Sequence, residues 1–180
     1  MESVLYMKKI ENDFLKYADE TIKTLNELGL LLVSIDSNGK PNVMTIGWGS
    51  IGIIWYKPIF IVLVRQSRYT HKLIEEAGDF TVNVPKRDMK HIIDFCGSVS
   101  GKEIDKFKEK NLTPLPSKKV KSPIIAQCPI NYECKIVYKT IIDPKIIEKR
   151  IISEYYSSGN YHTIFFGEIL ALHVDENLFK

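Results

Sequence analysis

Leu30-Leu31-Leu32-Val33-Ser34-Ile35-Asp36-Ser37-Asn38-Gly39-Lys40-Pro41-Asn42-Val43-Met44-Thr45-Ile46-Gly47-Trp48 decides the fold class. Leu30–Asp36 reads as an apolar strand, Ser37–Pro41 supplies turn chemistry, and Asn42–Trp48 reads as the returning strand. An Asn-Gly pair between two such runs favours the positive φ values of a tight hairpin, which makes the pair antiparallel. A doubly wound parallel sheet would instead need a helical crossover between neighbouring strands.

Outward from this hairpin the pattern continues. Tyr17–Leu28 has the spacing of a short amphipathic helix, and Ile59–Val64 is a third strand, reached through a loop containing Gly49, Gly52 and Pro58. Thr70–Ala77 reads as a helix with Thr70 as its N-cap and Gly78 as its terminator. Phe80, Val82 and Val84 alternate with Thr81 and Asn83 until Pro85 stops the strand. Asp88 is placed to cap a helix running through Phe95, Cys96–Gly101 to break it and Lys102–Lys110 to resume it. Leu112–Pro129, with four prolines and a lysine cluster, reads as irregular surface chain.

Two long strands close the pattern. Ile130, Tyr132, Cys134, Ile136 and Tyr138 share one face of an alternating strand, with Asn131, Glu133, Lys135 and Lys139 opposite. Asp143-Pro144 suits a helix start, and the helix should run to about Tyr156. Tyr161–Val174 is apolar on both faces, with Ile164, Phe166, Leu170 and Leu172 on one side and Phe165, Ile169 and Ala171 on the other. One face fills a core; the other must meet a helix or a second subunit. Antiparallel strands with short inserted helices describe a mainly β chain, folded as a closed or partly closed barrel.

Composition bounds the function. The 180 residues are most simply one domain, and 44% hydrophobic with 26% charged residues is an ordinary globular balance. A net charge of +3, from 25 basic and 22 acidic residues, is too small an excess to argue for nucleic acid or an anionic membrane. The N-terminus lacks the apolar core of a signal peptide, and no apolar run approaches the length of a membrane span. Three cysteines are too few for a disulfide framework, so the expectation is reduced thiols in a cytoplasmic protein. There is no HExxH or GxSxG pattern, which ranks metal and hydrolytic chemistry low and leaves no expected metal site.

Arg65-Gln66-Ser67-Arg68-Tyr69-Thr70-His71-Lys72 places four potentially cationic groups and three hydroxyls where a strand hands over to a helix. Unpaired amides at a helix start and forked Arg donors suit a phosphate. Taken alone, this turn reads as a solvated basic loop. Thr45-Ile46-Gly47-Trp48 puts small or polar positions and an aromatic ring at a strand end, where backbone can approach a flat ligand. Taken alone, it is a core strand with a tryptophan plug. In Cys96-Gly97-Ser98-Val99-Ser100-Gly101-Lys102, two glycines bracket two serines, which allows exposed amides, and Lys102 and Lys106 are spaced one helical turn apart.

These segments recur in one order in a known family. From about Leu30 to Glu176 the chain resembles the flavin reductase-like, FMN-binding split-barrel proteins, most closely the flavoredoxin group. The pieces that carry the resemblance are Asn42–Trp48, Val64–His71, Phe80–Pro85, Phe95–Gly101 through Asp105-Lys106-Phe107, Cys128-Pro129, Glu133-Cys134-Lys135, Tyr161-His162-Thr163 and Phe166–Ile169. The resemblance implies a single domain, 1–180, with an N-terminal extension and helix over 1–29. A six-stranded antiparallel Greek-key split β-barrel would follow over 30–176, working as a homodimer.

It further implies FMN with Thr45, Ile46, Gly47 and Trp48 along its ring. Arg65, Ser67, Tyr69 and Thr70 would lie at its phosphate and ribityl chain, and Cys96, Gly97, Ser98, Ser100 and Lys102 would complete the pocket. Arg68, His71 and Lys72 are left to face solvent. His162 corresponds to a histidine near the flavin or incoming nicotinamide. The expected function is a flavin-dependent oxidoreductase passing electrons through FMN from NADH, NADPH or a small redox protein to an acceptor. A non-enzymatic flavin-binding or storage module is the alternative. Lys102 stands where relatives often carry Arg, and the 144–160 segment departs from the family pattern.

Overall fold

The computed structural model describes residues 14–175 and the backbone of Lys8 and Lys9. Most of the expected N-terminal extension, and residue 176 at the expected end of the barrel, lie outside the described residues. In chain order the elements are β1 (Lys8–Lys9), α1 (Ala18–Glu27), β2 (Leu30–Ile35), β3 (Pro41–Ile46), β4 (Gly49–Ile54) and β5 (Lys57–Arg65). They continue with α2 (Tyr69–Ala77), β6 (Asp79–Val84), α3 (Lys90–Ser98), α4 (Lys106–Glu109), β7 (Pro114–Leu115), β8 (Ile124–Ile125), β9 (Ile130–Ile141), α5 (Lys149–Tyr155) and β10 (His162–Val174). Among the described residues, no helix is long and apolar enough to cross a membrane.

The main sheet runs β3-β2-β6-β9-β10-β5-β4, with every neighbour antiparallel and β1 paired to the end of β10. Its two edge strands, β3 and β4, are consecutive in the chain and separated only by Gly47-Trp48. Two residues span at most about 10 Å, so the sheet must curl until its edges nearly meet, yet β3 and β4 share no ladder. That is a split barrel. The expected strands are β2, β3, β5, β6, β9 and β10; the sequence reading missed β4.

That omission has a physical cause. Gly49, Ser50 and Gly52 are poor strand formers, and the β4–β5 turn is Trp55-Tyr56 rather than a glycine pair. Both residues have positive φ, 55° and 57°. A two-residue turn of this hand normally uses Asn or Gly, and bulky residues there carry strain of about 1–3 kcal/mol each. The Asn38-Gly39 turn also differs from expectation. Only Gly39 has positive φ there (80°), and Asp36 pairs with Lys40 around a three-residue loop.

Leu30, Leu31, Leu32 and Val33 are all fully buried because β2 separates two cores. Leu30 and Leu32 point into the barrel with Phe60, Phe80, Tyr132 and Phe165. Leu31 and Val33 point outward beneath α3, α4 and β8, against Ile93, Cys96, Phe107 and Ile125. Each such side chain contributes about 1.5–3 kcal/mol. α1 plugs the barrel through Leu25 and through Thr21, whose hydroxyl lies 2.9 Å from that of Tyr132.

Two register shifts in the β9–β10 pair reassign faces that simple alternation predicts. Between Phe166 and Gly167 the partner skips Val137, which turns Tyr138 outward, away from Ile136. Between Ile169 and Ala171 an extra residue turns Leu172 into the barrel core. The polar face of β9 is buried at Asn131 and Glu133, because the 112–129 chain covers it rather than lying free on the surface. Glu133 accepts from the amides of Lys118 (2.8 Å) and Lys119 (2.6 Å) and from His173 Nε2 (2.5 Å). Burial alone would raise this carboxyl, but those bonds bring it below the ordinary glutamate range. Outside the barrel, Trp55 lies 6.3 Å from Tyr138 and 6.4 Å from Phe166 in an exposed aromatic patch.

Candidate functional site

β3 delivers Met44, Thr45 and Ile46 to the seam, and Gly47-Trp48 crosses it. With Leu63 and Arg65 from β5, Arg68 from the following turn and His162 at the start of β10, they line a cavity of about 180 Å³. A second cavity of about 200 Å³ adjoins it and shares Met44 and Arg68. Its other lining comes from Ser67, Tyr69 and Thr70 on one side, Cys96–Gly101 on the other, and Lys106. Together they form one cleft, of a size suited to a cofactor.

Every expected cofactor residue except Lys102 lines this cleft: Thr45, Ile46, Gly47, Trp48 and Arg65 in the first cavity, and Ser67, Tyr69, Thr70, Cys96, Gly97, Ser98 and Ser100 in the second. His162 lines the first. Several of their side chains are already engaged. Thr45 Oγ1 donates to Ile93 O (2.5 Å), and Ser98 Oγ donates to Phe95 O (3.1 Å). Thr70 is no N-cap: Arg68 holds that position in extended conformation, and the buried Thr70 hydroxyl accepts from Asn42 Nδ2 (2.7 Å). Gly78 does end α2 in the left-handed conformation.

Arg65 and Arg68 both line the cleft but differ in what they hold. Arg65 donates to Tyr155 O (2.9 Å) and Asn160 O (2.8 Å), and its guanidinium lies 5.2 Å from the Tyr156 ring. Asn160 also donates to Ser67 Oγ (2.9 Å). Arg68 is exposed, as expected, and it also reaches over the cleft and donates to Gly97 O (3.2 Å). His71 is half-buried against Thr163 Oγ1 at 2.8 Å, so it leaves the solvent face; Lys72 stays exposed.

The second lysine also changes. α3 runs through Cys96-Gly97-Ser98 instead of breaking there, and helix resumes only at Lys106, with Asp105 accepting from the Lys108 amide (3.2 Å) as its N-cap. Lys102 therefore sits in an exposed turn, away from the cavity lining. Lys106 takes its place: it is 4% exposed, and its Nζ donates to Cys96 O at 2.8 Å. Burial lowers its pKa, the neighbouring Cys96 opposes that, and Arg68 adds to it. Sequence held a signal for it: Asp105-Lys106-Phe107 pairs a helix cap with a core aromatic, which fixes Lys106 between them.

Gly101 shows how tightly this end is built. A Cβ there would fall 1.9 Å from Asn42 Oδ1, while the other end of that amide holds Thr70. The amides of Ser100 and Gly101 have no protein acceptor among the described residues. Among the described residues, neither Arg68 nor Lys106 is paired with a carboxylate. Lys106 is buried, and a buried cation with no counter-charge is costly, so the geometry there suits an anion.

Cys96 is buried, and that burial raises its thiol to about 11, which argues against a nucleophile. His162 is pushed down to about 4 by burial, with Arg65 and Arg68 adding to the effect, so it is neutral near pH 7. Its ring lies 4.9 Å from Trp48, which also makes edge contacts with Tyr155 (5.1 Å) and Tyr156 (6.4 Å). Those tyrosines belong to the β9–β10 connection. There Asp143-Pro144 forms a turn, with the Lys145 amide bonded to Asp143 Oδ1 (2.8 Å), and the helix starts only at Lys149. Among the described residues, no three His, Cys, Asp or Glu side chains are grouped to hold a metal ion.

Residues 27–180 match the model of the flavin reductase like domain. An uncharacterised protein of Archaeoglobus fulgidus is 37% identical over 131 residues, which is 73% of this chain and 64% of that protein. The chain thus spans less than two thirds of that relative's length. Among solved structures, the flavoredoxin of Desulfovibrio vulgaris superposes with a TM-score of 0.67 at 30% identity, covering 83% of this chain and 70% of that one. The flavoredoxin of Methanosarcina acetivorans gives 0.65 at 30% identity, covering 83% and 69%.

Proposed function

The chain belongs to the flavin reductase-like domain family, and we propose that it is a flavin-dependent oxidoreductase holding FMN in the cleft between the end of β3, the Arg65–Tyr69 turn and α3. One observation carries this reading: a continuous cleft with Trp48 and His162 at one end, Lys106 at the other and Arg68 shared between the two, neither cation being paired with a carboxylate. The residues fit the cofactor. Gly47 and its neighbours let backbone approach a flat ring, while Arg68, Lys106 and the Ser100 and Gly101 amides offer a phosphate charge-assisted bonds. When bound, the flavin supplies the redox chemistry, taking a hydride or single electrons and passing them on.

The side chains bind and orient rather than react. Arg68 and Lys106 anchor the anionic end, Trp48 shields the ring end from water, and neutral His162 offers a hydrogen bond there. Arg65 holds the β9–β10 connection against the cleft through the Tyr155 and Asn160 carbonyls. The reductant is NADH or NADPH stacking transiently, or a small redox protein. The chain works as a homodimer in the cytoplasm, with the Trp55, Tyr138 and Phe166 patch covered by the second subunit. Absorbance of the purified protein tests the cofactor, and anaerobic mixing with NADH, NADPH or a reduced redox protein tests the activity. Bleaching with rapid turnover is the expected outcome; a bound flavin that no donor reduces would instead favour storage.

A further inference from the structure

Tyr156 lies in the β9–β10 connection, outside every residue set anticipated for the site. It is 3% exposed, and its ring stacks on Tyr161 at 4.9 Å with 24° between planes. Its hydroxyl lies 2.8 Å from His162 Nδ1. His162 is itself 8% exposed and lines the cleft. No protein hydrogen bond engages its Nε2 among the described residues.

A neutral imidazole carries one proton, and the bond made by one nitrogen decides where that proton sits. The charged and titratable groups facing His162 are Arg65 from β5, Arg68 from the turn before α2, and Tyr156 itself. Both arginines oppose an imidazolium. Burial keeps the Tyr156 phenol protonated, with Arg65 opposing and Tyr161 reinforcing. A protonated phenol can donate this bond, with Nδ1 as the acceptor.

We propose that Tyr156 is a positioning residue: it donates to His162 Nδ1, holds the imidazole proton on Nε2, and so presents the cleft with a fixed donor for a carbonyl or quinone oxygen of the electron acceptor. The tautomer stands on the protein alone, and the acceptor chemistry rests on the flavin-cleft reading.

Long-range ¹H–¹⁵N spectra of the full chain with labelled histidine, near neutral pH, test the first part, with His162→Gln assigning the signal. A single Nε2–H tautomer in the wild type, and a mixture in Tyr156→Phe, is the expected result. An Nδ1–H tautomer in the wild type, or an unchanged tautomer in Tyr156→Phe, overturns it. If Tyr156→Phe does not fold, the wild-type spectrum alone still decides. For the second part, the KM for menadione should rise roughly tenfold in Tyr156→Phe with kcat held, about the worth of one hydrogen bond; an unchanged KM overturns the acceptor assignment. A colourless protein that keeps the Nε2–H tautomer would remove the flavin reading and leave the Tyr156–His162 pair. A yellow protein with the opposite tautomer would do the reverse.

Discussion

The two ends of the cleft are built by opposite means. Around His162 the site is made of side chains, with Trp48 in edge contact with Tyr155 and Tyr156, and Tyr161 stacked behind them. Around Lys106 it is made largely of backbone: the last turn of α3, the Ser100 and Gly101 amides, and a glycine with no room for a methyl group. Ring contacts of this kind are worth about 0.5–1.5 kcal/mol each, so the aromatic end can lose one and keep its shape. The backbone end has no such slack, and it should be the less forgiving of the two.

Gly101→Ala is the harshest test of that contrast. The new Cβ must displace Asn42, whose amide holds Thr70, and overpacking of this kind costs about 1–3 kcal/mol. Loss of flavin from the purified protein and a lower melting temperature are expected; a yellow protein with an unchanged melt would show that this end does yield. Lys106→Met comes next, keeping the length of the side chain but not its charge. FMN affinity should fall roughly 10- to 100-fold, the range for a bond to a charged group, while riboflavin, which lacks the phosphate, should bind as before. Titration calorimetry separates the cases, and equal losses for both ligands would take Lys106 away from the phosphate.

Arg65→Ala should be milder. From the sequence, this arginine is the main phosphate contact, and its removal should cost FMN affinity clearly. Because two of its five donors hold Tyr155 and Asn160, a loss of only about fivefold is expected, one ordinary hydrogen bond's worth. The β9–β10 connection should also become cleavable in limited proteolysis. A loss as large as that of Lys106→Met would restore Arg65 to the anion.

The smallest effect concerns pH. The folded His162 titrates near 4 and the unfolded one near 6.5. Between those values the unfolded chain binds the extra proton, so the wild type loses stability as pH falls from about 6.5 to about 4. Thermal melts should show His162→Gln losing less over that window, with no difference in slope above it. Parallel curves would mean that His162 is not held neutral.

What sequence reveals here follows the same division. The six expected strands, the Gly78 terminator and the glycine-bracketed segment were readable because period-two alternation and glycine placement are local signals. β4 was not, because its turn uses Trp55-Tyr56 where the usual cue is Asn-Gly. Faces along β9 and β10 were misassigned at Tyr138 and Leu172 because a register shift leaves no mark on composition. Within the cleft the segments were legible but the choice among cations was not. Arg65 and Arg68 differ by three positions, and only the docking of Tyr155 and Asn160 decides which one is free. Tyr156 was invisible for the same reason: its partner His162 is near in sequence, but the bond depends on where the connection folds.

The link Gly47-Trp48 joins two strands that share no ladder, and this governs how the molecule can move. Everywhere else around the barrel, a change in girth would have to break paired amides and carbonyls. At the seam it breaks none. Breathing motions should therefore concentrate where the cleft lies, leaving the remaining staves rigid. Amide exchange would read this as weak protection at Gly47 and Trp48, set against strong protection in β6, β9 and β10.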